Sequence, residues 1–103
     1  MYITVFCTVP GEEKAKEIAK KIVEEKLGAC VNYFKVNSIF EWKGKIELEE
    51  EYLLIIKTKE GKFEDLKDFI KKIHPYEIPE IISLKVEKGN EDYLKWINEV
   101  IVK

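Results

Sequence analysis

Arginine and glutamine are absent from the 103 residues, histidine and methionine occur once each, and proline occurs three times. Without arginine the chain lacks the planar fork that reads guanine or grips phosphate bidentately. The formal net charge of -2 also leaves no broad basic footprint, so nucleic acid is not an expected partner. Two cysteines, Cys7 and Cys30, are too few for an extracellular disulfide framework. No apolar run approaches the ~18 residues that span a bilayer, and Met1 to Phe6 has no basic leader. These absences predict a cytoplasmic protein with reduced thiols and no membrane partner.

What is present is a core and a dense ionic surface. Hydrophobic residues make up 46% and charged residues 37%, enough for one domain over residues 1–103 and too apolar for disorder. All 18 basic residues are Lys, and Glu greatly outnumbers Asp. That bias, with few amides, is associated with proteins from hot environments and predicts a thermostable chain.

Residues 2–9 are apolar and β-branched and end at Pro10-Gly11, a strand followed by a turn. From Glu12 the period becomes helical through Ala15, Ile18, Ala19, Ile22, Val23 and Leu27, with Gly28 expected as a left-handed C-cap. Residues 29–42 and 45–58 read as strands joined at Lys43-Gly44. Phe63, Leu66, Phe69, Ile70 and Ile73 outline a second helix that must stop at His74, because Pro75 disfavours helical geometry before it. A fourth strand is expected over 81–87. Asn90 is placed to N-cap a last helix over 93–102. The order is βαββαβ with an appended helix, an α+β ferredoxin-like sandwich.

Right-handed crossovers then bring three segments to one end of the sheet: residues 7–11, the hairpin tip at 42–45, and the link 74–79. Cys30 falls at the opposite end from Cys7, so no disulfide joins them. Tyr52 to Ile56 is apolar at both parities, which requires cover on both faces of the sheet. The helices are expected on one face only, so a second subunit is expected on the other.

His74, Cys7 and Glu77 meet at that end and form a sensible donor set for a transition metal, though fewer than a closed tetrahedral site uses. Plainer readings stand beside this one. His74 can complement the end of the preceding helix. Cys7 shares the parity of Ile3 and Val5 and can be a small core residue. A Cys/His nucleophilic dyad lacks a third orienting group and a Gly-rich oxyanion loop, so binding is expected and enzymatic catalysis is not. Glu47, Glu49, Glu50 and Glu51 either attract cations or form a solvated strand edge with a bulge, and the edge is the expectation. Phe40 and Trp42 are expected to pack at a subunit contact.

Several blocks resemble the CutA divalent-cation-tolerance family. They are Cys7-Thr8-Val9-Pro10, Ala29 to Asn32, Ser38 to Ile46, Glu51 with Lys57-Thr58, His74 to Ile81 and Tyr93 to Trp96. The resemblance runs over almost the whole chain. It implies a tight homotrimer joined through the long hairpin, a cytoplasmic location, and tolerance of copper and other divalent cations. It also implies metal ligation at Cys7 and His74. Two departures stand out: Ile73 replaces a histidine of some members, and Phe40 replaces a tyrosine of many. An alternative within the same architecture is a trimeric signalling or scaffold protein, like the PII regulators, that takes a small molecule or partner protein in its intersubunit clefts.

Overall fold

A computed structural model describes residues 1–101. Its elements are β1 (Tyr2–Val9), α1 (Glu12–Glu24), β2 (Cys30–Trp42), β3 (Lys45–Lys59), α2 (Phe63–Ile73), β4 (Ile82–Lys85) and α3 (Glu91–Val100). A single 3-10 turn, Glu60–Lys62, leads into α2. The strands form one sheet in the order β2-β3-β1-β4, each antiparallel to its neighbour, which is the ferredoxin-like α+β arrangement with a terminal helix. α3 ends at Val100 with Ile101 as an extended C-cap (φ -87, ψ 90), short of the expected end at Val102, which itself lies outside the described residues.

Alternation along β1 sets the two faces. Ile3, Val5, Cys7 and Val9 are buried under α1 and α2, packed with Ile18, Ile22, Leu54, Ile56, Leu66 and Ile70. Each such aliphatic side chain contributes roughly 1.5–3 kcal/mol by leaving water. Tyr2, Thr4, Phe6 and Thr8 point to the other face. There α3 covers the lower end through Ile97 and Ile101, which pack with Ala29 and Tyr2. The helices therefore do not all lie on one face, a correction to the expectation. The cover is partial, however. Phe34, Ile82 and Leu84 on that same face are each about half exposed.

Three local expectations change. The left-handed residue after α1 is Lys26 (φ 60), not Gly28. The amide of Leu27 donates to the Ile22 carbonyl and that of Lys26 to the Val23 carbonyl, a Schellman closure two residues earlier than expected. Gly28 is needed for space instead, since a Cβ there would sit 2.8 Å from Ile56 Cγ2 and 2.9 Å from Ile22 Cγ2. The β2–β3 ladder keeps one register from Cys30↔Lys57 to Trp42↔Lys45, so the expected bulge is absent. Finally, β4 is shorter than 81–87 because it pairs only with residues 3–6 of β1.

The hairpin turns tightly at Lys43 (φ 52) and Gly44 (φ 81), both left-handed as a two-residue hairpin loop requires. β1 stops pairing with β3 at Val9↔Tyr52. Beyond that point β2 and β3 project as a two-stranded arm of roughly 20 Å, at ~3.4 Å per residue. The arm accounts for the elongated outline of 44 × 25 × 21 Å.

Candidate functional site

Where β1 ends, the link after α2 crosses its top and meets the base of the arm. Pro75 stops α2, leaving His74 extended (φ -81, ψ 137) with its ring turned back to β1. The Nε2–H of His74 donates to the Thr8 carbonyl at 2.7 Å, and Nδ1 accepts from the Tyr76 amide at 3.0 Å. Those partners fix the neutral tautomer. Burial lowers the imidazole below its ordinary range and outweighs the opposing pull of the Thr8 carbonyl and Glu51. His74 is thus a clasp between α2 and β1, with both nitrogens in use.

Cys7 lies beside it but inside the core, with no solvent exposure. Its sulfur is 3.8 Å from the same Thr8 carbonyl oxygen. Burial, with the negative charges of Glu80 and Glu51 nearby, pushes the thiol up to about 12. Glu77 sits on the exposed rim of the link. The structure therefore brings Cys7 and His74 together at one carbonyl and leaves Glu77 outside. No three His, Cys, Asp or Glu side chains among the described residues converge closely enough to hold a metal ion. The donors do not form a ready-made metal centre in this arrangement. Cys7 and Cys30 are free thiols on opposite faces of the sheet; Cys30 lies two strands away, level with Thr4 and three residue rows from Cys7.

Two partners of this cluster escaped the sequence reading. Glu51 is only 4% exposed, although a solvated edge was expected there. Its Oε2 accepts from the Tyr76 hydroxyl at 2.6 Å. Burial, then that carboxylate, holds the phenol well above its ordinary range, so Tyr76 stays protonated and donating. Glu51 lies on the sheet face opposite the main helices, where alternation alone predicts solvent, and the cover comes from a loop. Pro75 has no amide to give, so the next donor available to His74 is the amide of Tyr76; the His-Pro-Tyr sequence carries that hint.

Above the cluster a cleft of about 510 Å³ opens between arm and link. Phe40, Trp42, Glu47 and Glu49 line it from one face of the arm, and Pro10 with residues 75–78 close the other side. Trp42 thus reaches the link as the topology predicted, while the Lys43-Gly44 turn stands beyond it. A second cavity of about 420 Å³ continues inward to Thr8, Ser38, Glu51 and Glu80.

Known proteins share this architecture. The family described as CutA1 divalent ion tolerance protein matches residues 3–100. Protein CutA of Homo sapiens is 50% identical over 96 residues, covering 92% of this chain and 54% of that protein. The chain therefore spans about half the length of that relative. The solved structure of the periplasmic divalent cation tolerance protein CutA from Archaeoglobus fulgidus superposes with a TM-score of 0.97 at 40% identity, covering 99% of this chain and 100% of that one. The divalent cation tolerance protein (Cut A1) from Thermus thermophilus gives a TM-score of 0.95 at 44% identity over 99% and 100%. No described helix is long and apolar enough to cross a membrane. The match at residues 3–100 takes in β1, the arm, the clasp and α3 alike, and by it this chain belongs to the CutA1 divalent ion tolerance family.

Proposed function

We propose that the protein is a cytoplasmic homotrimer that binds divalent transition-metal cations, copper foremost, and so supports tolerance of them. The observation carrying this reading is the meeting of Cys7 and His74 at the Thr8 carbonyl. A thiolate with an imidazole suits copper, and the Irving–Williams order favours it over zinc. The cation is cargo taken up at a cost: Cys7 must lose a proton that burial holds up to about 12, and His74 must release one of its two hydrogen bonds. Affinity is therefore modest and rises with pH across the neutral range, because metal and proton compete for the same atoms. Glu77 supplies an oxygen once the link moves. A buried, protonated thiol is also a poor nucleophile, which supports binding over catalysis.

The trimer is supported by apolar surface that a single chain leaves uncovered. Phe34, Ile82 and Leu84 on the sheet, and Ile39, Ile46 and Leu48 on the arm, are exposed by 47–73%. Exposed apolar patches of this extent mark association surfaces. Copper titrations of the wild type, Cys7→Ser, His74→Ala and Glu77→Ala test the site. Loss of affinity by about tenfold or more in the first two variants is expected for removal of a direct ligand. Equal binding by all four proteins would sink the metal reading.

A second reading has its own observation. Both His74 nitrogens are already satisfied while a lined cleft stands open beside them. In that case the cleft takes a small molecule or a partner, and His74 only holds its wall in place.

A further inference from the structure

We propose that residues 74–80 form a strap over the unpaired end of β1, latched by the hydrogen bond from Tyr76 to Glu51, and that its opening is the route by which solutes reach Cys7. This inference does not depend on the copper reading, because it concerns access to the thiol and holds for any reagent that arrives there.

The end of β1 is open on one side. β3 flanks β1 from Tyr2 to Val9, whereas β4 flanks it only from Ile3 to Phe6. The Val86 amide donates to the Tyr2 carbonyl, so the even-numbered residues of β1 turn their backbone groups toward β4. Thr8 is the next even residue, and its carbonyl points past the end of β4 with no strand to answer it. The Nε2–H of His74 fills that place at 2.7 Å. A side chain thus stands in for a missing ladder bond, as an unpaired backbone carbonyl at a sheet end requires.

The strap is tied at few points. His74, at the end of α2, lies on the face that holds Cys7, while Glu51 lies on the opposite face. The chain between them passes around the open edge from one face to the other. Three hydrogen bonds in series span it. Glu51 accepts from the Tyr76 hydroxyl at 2.6 Å, the Tyr76 amide donates to His74 Nδ1 at 3.0 Å, and His74 donates to Thr8. Beyond these, residues 77–80 form no hydrogen bond among the described residues, and Glu77, Ile78 and Glu80 are exposed. Pro75 and Pro79 have no amide with which to join the sheet. A segment with so few ties opens far more often than the core beneath it.

Cys7 is what the strap closes off. It has no solvent exposure, and its sulfur lies 3.8 Å from the same Thr8 carbonyl that His74 holds. The rest of its cover is the main core, which opens only with the domain. Lifting the strap is therefore the way in that breaks the fewest contacts.

The experiment follows labelling of Cys7 by N-ethylmaleimide, read by mass spectrometry, in the intact, assembled protein carrying Cys30→Ser. Urea is added at concentrations below the unfolding transition. A labelling rate nearly flat in urea is expected, since lifting a strap exposes little surface and global unfolding exposes much. Tyr76→Phe should speed labelling by about tenfold or more, because it removes the donor to a buried carboxylate. Ile97→Ala, a truncation in the separate cluster under α3, lowers global stability and should leave the rate near that of the parent. Three results would overturn the proposal: no labelling until urea unfolds the domain, a Tyr76→Phe rate equal to the parent's, or an Ile97→Ala rate raised as much as that of Tyr76→Phe. The first and third would mean that Cys7 is reached only through global unfolding, and the second that Glu51 does not hold the strap. The urea dependence leaves the strap unaltered, so it decides the route even if Tyr76→Phe fails to fold.

Discussion

The two halves of β3 carry similar apolar residues and meet opposite fates. In the lower half, Leu54 and Ile56 are fully buried, because β1 and β2 flank them and two helices lie above. In the upper half, Ile46 and Leu48 are 66% and 73% exposed, with β2 as the only strand paired to them among the described residues. Hydrophobicity marks a residue as needing cover, and the number of flanking elements decides whether the chain itself provides it. The lower half belongs to the fold, and the upper half belongs to whatever the arm meets.

Truncations measure that contrast most directly. Leu54→Ala should lower the free energy of unfolding by about 2–5 kcal/mol in denaturant melts, the usual cost of a core cavity. Leu48→Ala should leave the isolated chain within about 0.5 kcal/mol of wild type, yet shift sedimentation toward smaller species. Equal losses from the two would erase the distinction between the halves.

Tyr76→Phe tests the junction between them. It strips the donor from a carboxylate that is 4% exposed, and about 1–3 kcal/mol of stability should go with it. An unchanged melting midpoint would mean that Glu51 finds another partner at once.

The clasp gives a smaller, pH-dependent effect. Burial holds the His74 imidazole below its ordinary value, so the unfolded chain takes up that proton first as pH falls. Stability from the neutral ring is therefore present above a pH of about 6.5 and drains away below it. His74→Asn should flatten the stability profile on the acid side of that value. A slope identical to wild type would show that the clasp does not titrate separately from unfolding.

The smallest change is at the turn. Lys43 adopts φ 52 without being Gly, Asn or Asp, so Lys43→Asn should stiffen the arm and gain a few tenths of a kcal/mol. Slower amide exchange across Trp42↔Lys45 is the readout.

Periodicity made most of the fold legible. Strand parity placed Cys7 in the core, Pro75 ended α2 at the residue expected, and Asn90 caps α3 through the Asp92 amide at 3.1 Å. Glu17 and Lys21, four residues apart on α1, pair at 3.2 Å as helical spacing allows. What failed had physical reasons that periodicity does not encode. Glycine's tolerance of left-handed backbone suggests Gly28 as a cap, but its need is for the space that Ile56 and Ile22 occupy. Glu51 belongs to an acidic run that suggests a solvated strand edge, and the link carrying Tyr76 covers it instead. The meeting of Cys7 with His74 followed from topology. The commitment of both His74 nitrogens depends on how the chain bends at Pro75, which no residue pattern gives directly.

The unbroken register of the arm sets a rule for how its length can vary. Residues 47, 49 and 51 share a face with 38, 40 and 42 only while each strand keeps its count. Adding one residue to both strands would preserve the pairing but turn everything beyond the insertion over, exchanging the cleft side for the outer side. Adding two to both would restore the faces and move the turn out by about 7 Å. The arm is in this sense a ruler with one allowed graduation, and length variants that keep its cleft should differ by whole graduations, never by halves.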